Sequence, residues 1–264
     1  MKQGLKGKTV LITGASGGLG EQIAYQCAAN GAGVILAARN LERLKEVQKN
    51  IRETYHAEAV VYQLDVGQHG EVRDVVREIF SRHKKVDCLV NNAGFGLFKT
   101  ITDSTVEEAE QMFKVNVIGL IAMTKMVLPE MMKAGSGHII NIASQAGKIA
   151  TPKSSIYAAT KKAVLGFTDS LRMEVKDRGI YVTAVNPGPM ATNFFEIADE
   201  SGNYIKNVGR WVLRPERVAE KVVNKMFTPV REINLPRLMN AAALLYTLFP
   251  GFVEKVGKRA FYKK

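Results

Sequence analysis

Thr9-Val10-Leu11-Ile12-Thr13 is followed at once by Gly14-Ala15-Ser16-Gly17-Gly18-Leu19-Gly20. The first five residues are mostly apolar and β-branched, which is typical of a buried strand. The glycines that follow allow backbone angles and close approaches that a side chain would block. A helix that begins at such a turn directs free N–H groups and its positive dipole end at an anion. The turn therefore predicts a phosphate-binding loop, although without the strict Gly-x-Gly-x-x-Gly spacing a purely structural tight turn is the alternative.

The rest of the chain alternates short β-branched runs with longer segments of helical period. The predicted strands are Thr9–Thr13, Gly33–Ala38, Ala59–Asp65, Cys88–Asn91, His138–Ala143 and Tyr181–Asn186. The predicted helices are Gly20–Asn30, Leu41–Tyr55, Gly70–His83, Val106–Lys133 and Ser155–Asp177. Strands joined by helical crossovers require a parallel β-sheet flanked by helices on both faces. We expect one doubly wound α/β domain over residues 1–264.

Composition narrows the class of protein without identifying a partner. The 264 residues include 37 Lys and Arg against 25 Asp and Glu, a net charge of +12 that permits a nucleic-acid, anionic-membrane or polyanionic-substrate interpretation. Only two cysteines occur, Cys27 and Cys88, so a disulfide framework is ruled out; both lie in mostly apolar segments, where we expect them to be small buried apolar residues. The N-terminus lacks a signal-peptide pattern and the four histidines are scattered. We expect a reduced, cytoplasmic protein with no metal site.

The end of the second strand predicts which dinucleotide the chain prefers. A site for NAD places an acidic residue about twenty residues past the glycines, where it binds the ribose 2′-hydroxyl. Here Ala38 holds that place and Arg39 follows. A guanidinium pairs with a 2′-phosphate through charge-assisted hydrogen bonds, so the sequence favours NADP(H), whereas a solvated Arg39 is the alternative.

The segment Tyr157-Ala158-Ala159-Thr160-Lys161 carries an acid/base pattern. Residues four apart share one side of a helix, and a cation one turn away lowers the pKa of a phenol toward a useful range. The pattern also occurs by chance, with a packed Tyr and a solvated Lys. Ser144 after a strand and Asn116 in an apolar helix favour the catalytic interpretation, although a buried Asn can also be a satisfied core group.

Taken in order, these motifs resemble the short-chain dehydrogenase/reductase family over nearly the whole chain. The matching features are Thr13-Gly14-x3-Gly18-x-Gly20, Asp65, Asn91-Asn92-Ala93-Gly94, Asn116, Ser144, Tyr157-x3-Lys161 and Pro187-Gly188. The resemblance implies a Rossmann fold in which NADP(H) exchanges a hydride with a carbonyl or secondary alcohol. It implies that Tyr157 transfers the proton, Lys161 lowers the pKa of Tyr157 and holds the nicotinamide ribose, Ser144 positions the substrate oxygen and Asn116 holds a relay water.

The resemblance also implies the remaining cofactor contacts. They are Gly14, Ser16, Gly18, Leu19 and Gly20 near the pyrophosphate, Arg39 at the 2′-phosphate, Asp65 and Val66 at the adenine, Asn92, Ala93 and Gly94 near the riboses, and Pro187, Gly188, Met190 and Thr192 facing the nicotinamide. The resemblance also implies a homodimer or homotetramer. Substrates could be 3-hydroxy acids, 3-oxoacyl thioesters, steroids or xenobiotic carbonyls. The alternatives are a catalytically silent NADP(H)-binding redox sensor and, on charge alone, a nucleic-acid-binding protein; without a basic-aromatic module we expect no nucleic-acid partner.

Two segments are expected to set specificity and contacts. Residues 191–215 correspond to the family's substrate loop, where Phe194, Phe195 and Trp211 could form an apolar substrate wall or seal the loop on the core. Residues 235–264 form an apolar and basic extension: Leu238–Val253 has no charged residue, and five basic residues follow. The extension either packs over the pocket or another subunit, which we favour, or rests as a positively charged amphipathic tail on anionic lipid, giving a peripheral membrane contact.

Overall fold

The computed structural model describes residues 4–192, 194, 198–199, 209 and 212–261. Its centre is a seven-stranded sheet in the order β3-β2-β1-β4-β5-β6-β7, in which every neighbouring pair is parallel. The strands are β1 (Thr9–Thr13), β2 (Gly33–Ala38), β3 (Ala59–Gln63), β4 (Cys88–Asn91), β5 (Gly137–Ile142), β6 (Ile180–Pro187) and β7 (Glu232–Leu235). The expected doubly wound parallel sheet is confirmed.

Helices cover both faces of the sheet. They are α1 (Gly18–Ala29), α2 (Leu41–Tyr55), α3 (His69–Arg82), α4 (Val106–Phe113), α5 (Leu120–Ala134), α6 (Ser155–Glu174), α7 (Pro215–Val223), α8 (Arg237–Leu248) and α9 (Pro250–Phe261). Side chains alternate along a strand, so Val10 and Ile12 join the core beneath α1, α2 and α7, whereas Leu11 joins the core beneath α3, α5 and α6. Each face of the sheet therefore has its own apolar core.

Cys27 and Cys88 belong to the first of these cores and form no disulfide. Burial raises the pKa of both thiols, because an apolar environment disfavours the thiolate. The expectation that these cysteines act as small buried apolar residues is confirmed.

The structure differs from the predicted elements in several places. The third strand ends at Gln63 rather than Asp65, and a seventh strand, β7, was not predicted. The predicted helix Val106–Lys133 is helical throughout but contains a π-helical segment, Lys114–Gly119, between α4 and α5. Among the described residues Val106–Ala134 is also the one helical run that is long and apolar enough to cross a membrane, but 44% of its most apolar window is buried. Met123, Val127 and Met131 belong to the core beneath α3, α5 and α6, so we interpret the run as a core helix.

The strand order reverses between β1 and β4. Their carboxyl ends separate there, and the crevice between them is where open α/β sheets bind ligands. The glycine turn follows β1, Asn92 follows β4, and Ser144 lies two residues beyond β5. The topology therefore brings the predicted site residues to one edge of the sheet.

Candidate active site

The glycine turn is built around an uncapped helix start. Gly14 and Gly18 have φ of +64° and +56°, a region that favours glycine. A Cβ on Gly14 would lie 2.9 Å from the Cα of Ala93, so the turn must approach the end of β4 closely. The residue before α1 is Gly17, which offers no side-chain cap. The first N–H groups of α1 are therefore available to an anion.

Two side chains hold this turn against the end of β4. The Thr13 hydroxyl accepts hydrogen bonds from the backbone N–H groups of Asn92 and Ala93, each at 3.0 Å. The Asn92 amide donates to the carbonyl oxygens of Thr13 and Gly14 at 3.0 and 3.1 Å. Gly20 packs behind the turn, since a Cβ there would lie 2.3 Å from the Gly14 oxygen. Asn92 and Gly20 thus fix the shape of the turn.

Two arginines lie at the edge of the same cleft, one directly after β2 and one in the first turn of α2. Ala38 is buried, Arg39 is exposed, and both line the cleft together with Arg43. Asn40 caps α2 by accepting from the Arg43 N–H at 3.0 Å, which places Arg43 one turn beyond Arg39. Arg43 was not among the predicted site residues; the signal for it was Asn40, a helix-capping residue that starts α2 directly after Arg39.

Ser144, Tyr157 and Lys161 line the other end of the cleft. Lys161 is 5% exposed, its ammonium donates to the Ile142 carbonyl at 2.9 Å, and its nitrogen lies 5.8 Å from the centre of the Tyr157 ring. Burial lowers the pKa of Lys161 to about 8, because desolvation penalises the ammonium form. Ser144 follows β5, and its hydroxyl accepts from the Ala146 N–H at 3.1 Å.

Asn116 lies one layer behind the cleft, in the π-helical segment. Its amide oxygen accepts from the Phe95 N–H at 2.9 Å, and its nitrogen donates to the Phe95 carbonyl at 2.8 Å and to the Thr160 hydroxyl at 3.1 Å. Both amide donors are therefore used within the protein. The side chain ties the loop after β4 to α6, and it does not line the cleft.

The cleft is one continuous cavity of about 1570 Å³. Of the predicted site residues, it is lined by Gly14, Ser16, Gly18, Leu19, Arg39, Asp65, Val66, Asn92, Ala93, Gly94, Ser144, Tyr157, Lys161, Pro187, Gly188, Met190 and Thr192. Gly20 and Asn116 are the two predicted site residues that do not line the cleft. Pockets for drug-sized ligands measure about 300–1,000 Å³, so this cavity has room for a dinucleotide and a second molecule.

Aromatic and aliphatic side chains form the cleft wall beside Tyr157. The ring centre of Tyr157 lies 5.8 Å from that of Phe98 and 5.7 Å from that of Phe194, and a Cβ on Gly96 would lie 2.8 Å from the Tyr157 ring. Further apolar lining comes from Ile149 and from the C-terminal helices through Leu238, Met239, Ala242 and Val253. Phe194 therefore lines the cleft, which agrees with the substrate-wall alternative, whereas Phe195 and Trp211 lie outside the described residues. Part of the C-terminal extension packs over the cleft, as the favoured interpretation expected.

Comparison with known proteins agrees with this geometry. Residues 8–201 match the family model described as short chain dehydrogenase. A Drosophila melanogaster protein named dehydrogenase/reductase SDR family protein 7-like is 36% identical over 226 residues, which cover 83% of this chain and 69% of the relative. The NADP-dependent 3-hydroxy acid dehydrogenase of Schizosaccharomyces pombe is 34% identical over 226 residues, which cover 83% of this chain and 86% of the relative.

A solved structure extends the comparison to three dimensions. The closed form of a serine dehydrogenase complexed with NADP+ superposes with a TM-score of 0.77 and 32% identity, covering 85% of this chain and 94% of the other. The family model alone spans well over half of the chain, and each of the three proteins named above is similar to more than four fifths of it. This chain is a member of the short-chain dehydrogenase family of oxidoreductases.

Proposed function

We propose that the protein transfers a hydride between NADP(H) and a carbonyl or secondary alcohol, with Tyr157 as the general acid and base. The observation that carries the proposal is the cleft itself. One cavity joins the glycine turn and Arg39 at one end to Ser144, Tyr157 and Lys161 at the other. Binding of a phosphorylated dinucleotide and proton transfer to a substrate oxygen are the two functions that such a cleft can combine.

The residues at the first end fit NADP(H). The uncapped start of α1 can bind a pyrophosphate, and Ala38 leaves room where an acidic residue would repel a 2′-phosphate. Arg39 and Arg43 supply cations at that place. The S. pombe relative is named as NADP-dependent and the serine dehydrogenase was solved with NADP+, which supports the same cofactor here. When bound, NADP(H) supplies or accepts the hydride.

In this proposal, the residues at the second end of the cleft carry out the proton transfer. Tyr157 donates its phenolic proton to the substrate oxygen during reduction and removes the hydroxyl proton during oxidation. Lys161 stabilises the phenolate form, because a buried ammonium 5.8 Å from the ring centre acts through a low-dielectric medium. Ser144 faces the same cavity, where its hydroxyl can donate to the substrate oxygen and hold it beside Tyr157.

Asn116 has two parts in this proposal. Its side chain holds the Gly94–Phe95 loop in place through the Phe95 backbone and Thr160. The relay water that family resemblance assigns to Asn116 would then bind its backbone carbonyl, because both amide donors already have partners. A π-helical segment leaves carbonyl groups out of the regular i→i−4 pattern, which makes such a water contact possible.

The cleft wall favours a substrate with a substantial apolar part. Phe98, Phe194 and Met239 are among the aromatic and aliphatic side chains that line the cleft, which also has polar lining residues such as Gln145 and Thr151. We therefore propose a small-molecule carbonyl or alcohol whose non-reacting part is mainly apolar. Its turnover in an NADPH-oxidation screen would rule out a silent redox sensor.

The two buried cysteines, which form no disulfide, fit a reducing, cytoplasmic setting.

Substitution of the acid tests the mechanism. Tyr157→Phe removes only the phenolic oxygen, so NADPH binding should be retained while carbonyl reduction falls by about 10²-fold or more. NADPH fluorescence measures binding, and single-turnover oxidation of NADPH measures the chemistry. Tyr181→Phe is the matched control, because Tyr181 lies on β6 outside the cleft and should leave both unchanged. Full activity of Tyr157→Phe would refute the proposed role.

A further inference from the structure

The two C-terminal helices present an apolar surface to the solvent. Six residues of α8, α9 and their junction are each 53–70% exposed, and we call them the apolar face: Leu244, Leu245, Leu248, Phe249, Phe252 and Val256. Isolated exposed apolar side chains are ordinary, but six within thirteen residues, on two helices that contact each other, are a concentration of the kind that marks an interaction surface.

Helical geometry shows that α8 is apolar on both of its sides. Leu244, Leu245 and Leu248 are spaced so that they share one side of the helix, and that side points outward. The other side packs inward through Ala243, which is 5% exposed, and Met239, whose sulfur would lie 3.1 Å from a Cβ on Gly188. Packing on the rest of the protein therefore accounts for the inner side of α8, whereas in the part of the chain that the structure describes the outer side is largely exposed.

The basic residues of the C-terminal segment favour an anionic partner for the apolar face over a second copy of the chain. The chain from Leu238 to its end contains one acidic residue, Glu254, and five basic ones, Lys255, Lys258, Arg259, Lys263 and Lys264. A second copy docked through the same face would bring two such basic segments together, and like charges at an interface oppose association. An anionic lipid surface meets both requirements, since its headgroups attract the basic segment and its acyl boundary accepts leucine and phenylalanine.

We propose that α8 and α9 dock the protein on an anionic membrane surface through the apolar face. The helices would lie in the interface rather than span it, because α8 and α9 have only 12 residues each and the helical run breaks between them at Phe249, before Pro250 begins α9. Met239 and Ala242 line the cleft from α8, so the docked bilayer lies one helix away from the cleft.

Vesicle co-sedimentation of the whole protein tests the docking. Wild type should bind phosphatidylcholine vesicles that contain phosphatidylglycerol and should not bind pure phosphatidylcholine vesicles. The triple variant Leu244→Ser/Leu248→Ser/Phe252→Ser should partition at least about tenfold less, because apolar burial drives interfacial binding. The matched control Ile101→Ser/Val106→Ser/Met173→Ser removes three exposed apolar side chains elsewhere and should bind as wild type does.

The contribution of charge has its own variants. Lys255→Glu/Lys258→Glu should weaken binding to the anionic vesicles by about tenfold, whereas Lys49→Glu/Lys221→Glu should not change it. The proposal is overturned if wild type does not bind the anionic vesicles, if it binds both vesicle types equally, or if the face variant binds as well as wild type. No substrate is present, so these results are independent of the proposed reaction.

A local label separates lipid from a second copy of the chain. Both native cysteines are buried, so one introduced cysteine can be labelled selectively. An environment-sensitive fluorophore at Leu248→Cys should shift to the blue only when anionic vesicles are added, and the same label at the exposed Met173→Cys should not shift. A shift at Leu248→Cys that depends on protein concentration without vesicles would show that a second copy covers the face, and would overturn the proposal.

Discussion

Lys161→Met should make the protein inactive. The unfolding free energy of the variant, measured relative to that of wild type, should be higher at neutral than at alkaline pH. The substitution removes a charge that is buried at 5% exposure but keeps the length and apolar character of the side chain. Burial lowers the pKa of Lys161 from 10.5 to about 8, so the folded protein releases this proton more readily than the unfolded chain does. The ammonium form therefore destabilises the folded state.

The sign and size of the effect follow from proton linkage. Below about pH 8 both states carry the proton, and the folded state bears the whole cost, about 3 kcal/mol. Between about pH 8 and 10.5 the folded state has lost the proton that the unfolded state still holds, so the stability of wild type rises with pH. Lys161→Met lacks this rise. The difference in unfolding free energy between variant and wild type should fall by about 2 kcal/mol from about pH 7 to about pH 9.5.

Urea denaturation of both proteins without cofactor, at the two pH values, measures this change. The hydrogen bond from Lys161 to the Ile142 carbonyl is also lost in the variant, but the lost contact adds an offset that is the same at both pH values and cancels. Lys162→Met is the matched control, because Lys162 is the exposed neighbour on α6. A difference between Lys161→Met and wild type that does not change with pH would refute the assigned burial and ionisation of Lys161.

Three further substitutions test other parts of the structure. Arg39→Asp should weaken NADP+ binding by about tenfold or more while affecting NAD+ little, measured by titration of both cofactors. Gly96→Ala should lower kcat even at temperatures where the variant is fully folded, because its Cβ would meet the rings of Tyr157 and Phe194 at 2.8 and 3.0 Å. Thermal unfolding identifies those temperatures, and steady-state kinetics measure kcat there. Burial lowers the pKa of His138 to about 3, so His138 alone should account for about 3 kcal/mol of the stability that wild type loses between about pH 7 and pH 4. His138→Gln should lose less stability over the same range by about that amount, measured by urea denaturation at both pH values.

Periodicity predicted most of the fold because the sheet is parallel and buried on both faces. Such strands have long apolar runs, as in Thr9–Thr13 and Gly33–Ala38, and the predicted ends of both are the observed ones. The strand β7 was missed because Glu232-Ile233-Asn234-Leu235 is short and places polar side chains at alternate positions. Its polar residues have tertiary partners: Glu232 pairs with Lys148 and Asn234 accepts from Asn186, contacts that no local pattern encodes.

The site was predictable where function depends on backbone and strand ends, and less so where it depends on packing. The glycine turn, Arg39 and the Tyr157–Lys161 spacing are local in sequence, and the structure brings them to one cleft. The partners of Asn116 are not local, since Phe95 and Thr160 lie 21 and 44 residues away. The contact of Phe98 with the Tyr157 ring has the same origin.

The placement of Lys161 depends on a close contact that only a glycine permits. A Cβ on Gly147 would lie 2.9 Å from the backbone carbon of Lys161, so the turn that carries Ser144 lies directly against α6. The same approach brings the Lys161 ammonium to the Ile142 carbonyl at 2.9 Å, two residues before Ser144. The hydroxyl that would hold the substrate and the cation that would tune Tyr157 are thereby fixed to the end of one strand. A shift of α6 away from β5 would move both groups relative to each other, so the geometry of the proposed site depends on a contact that places a destabilising charge in the interior.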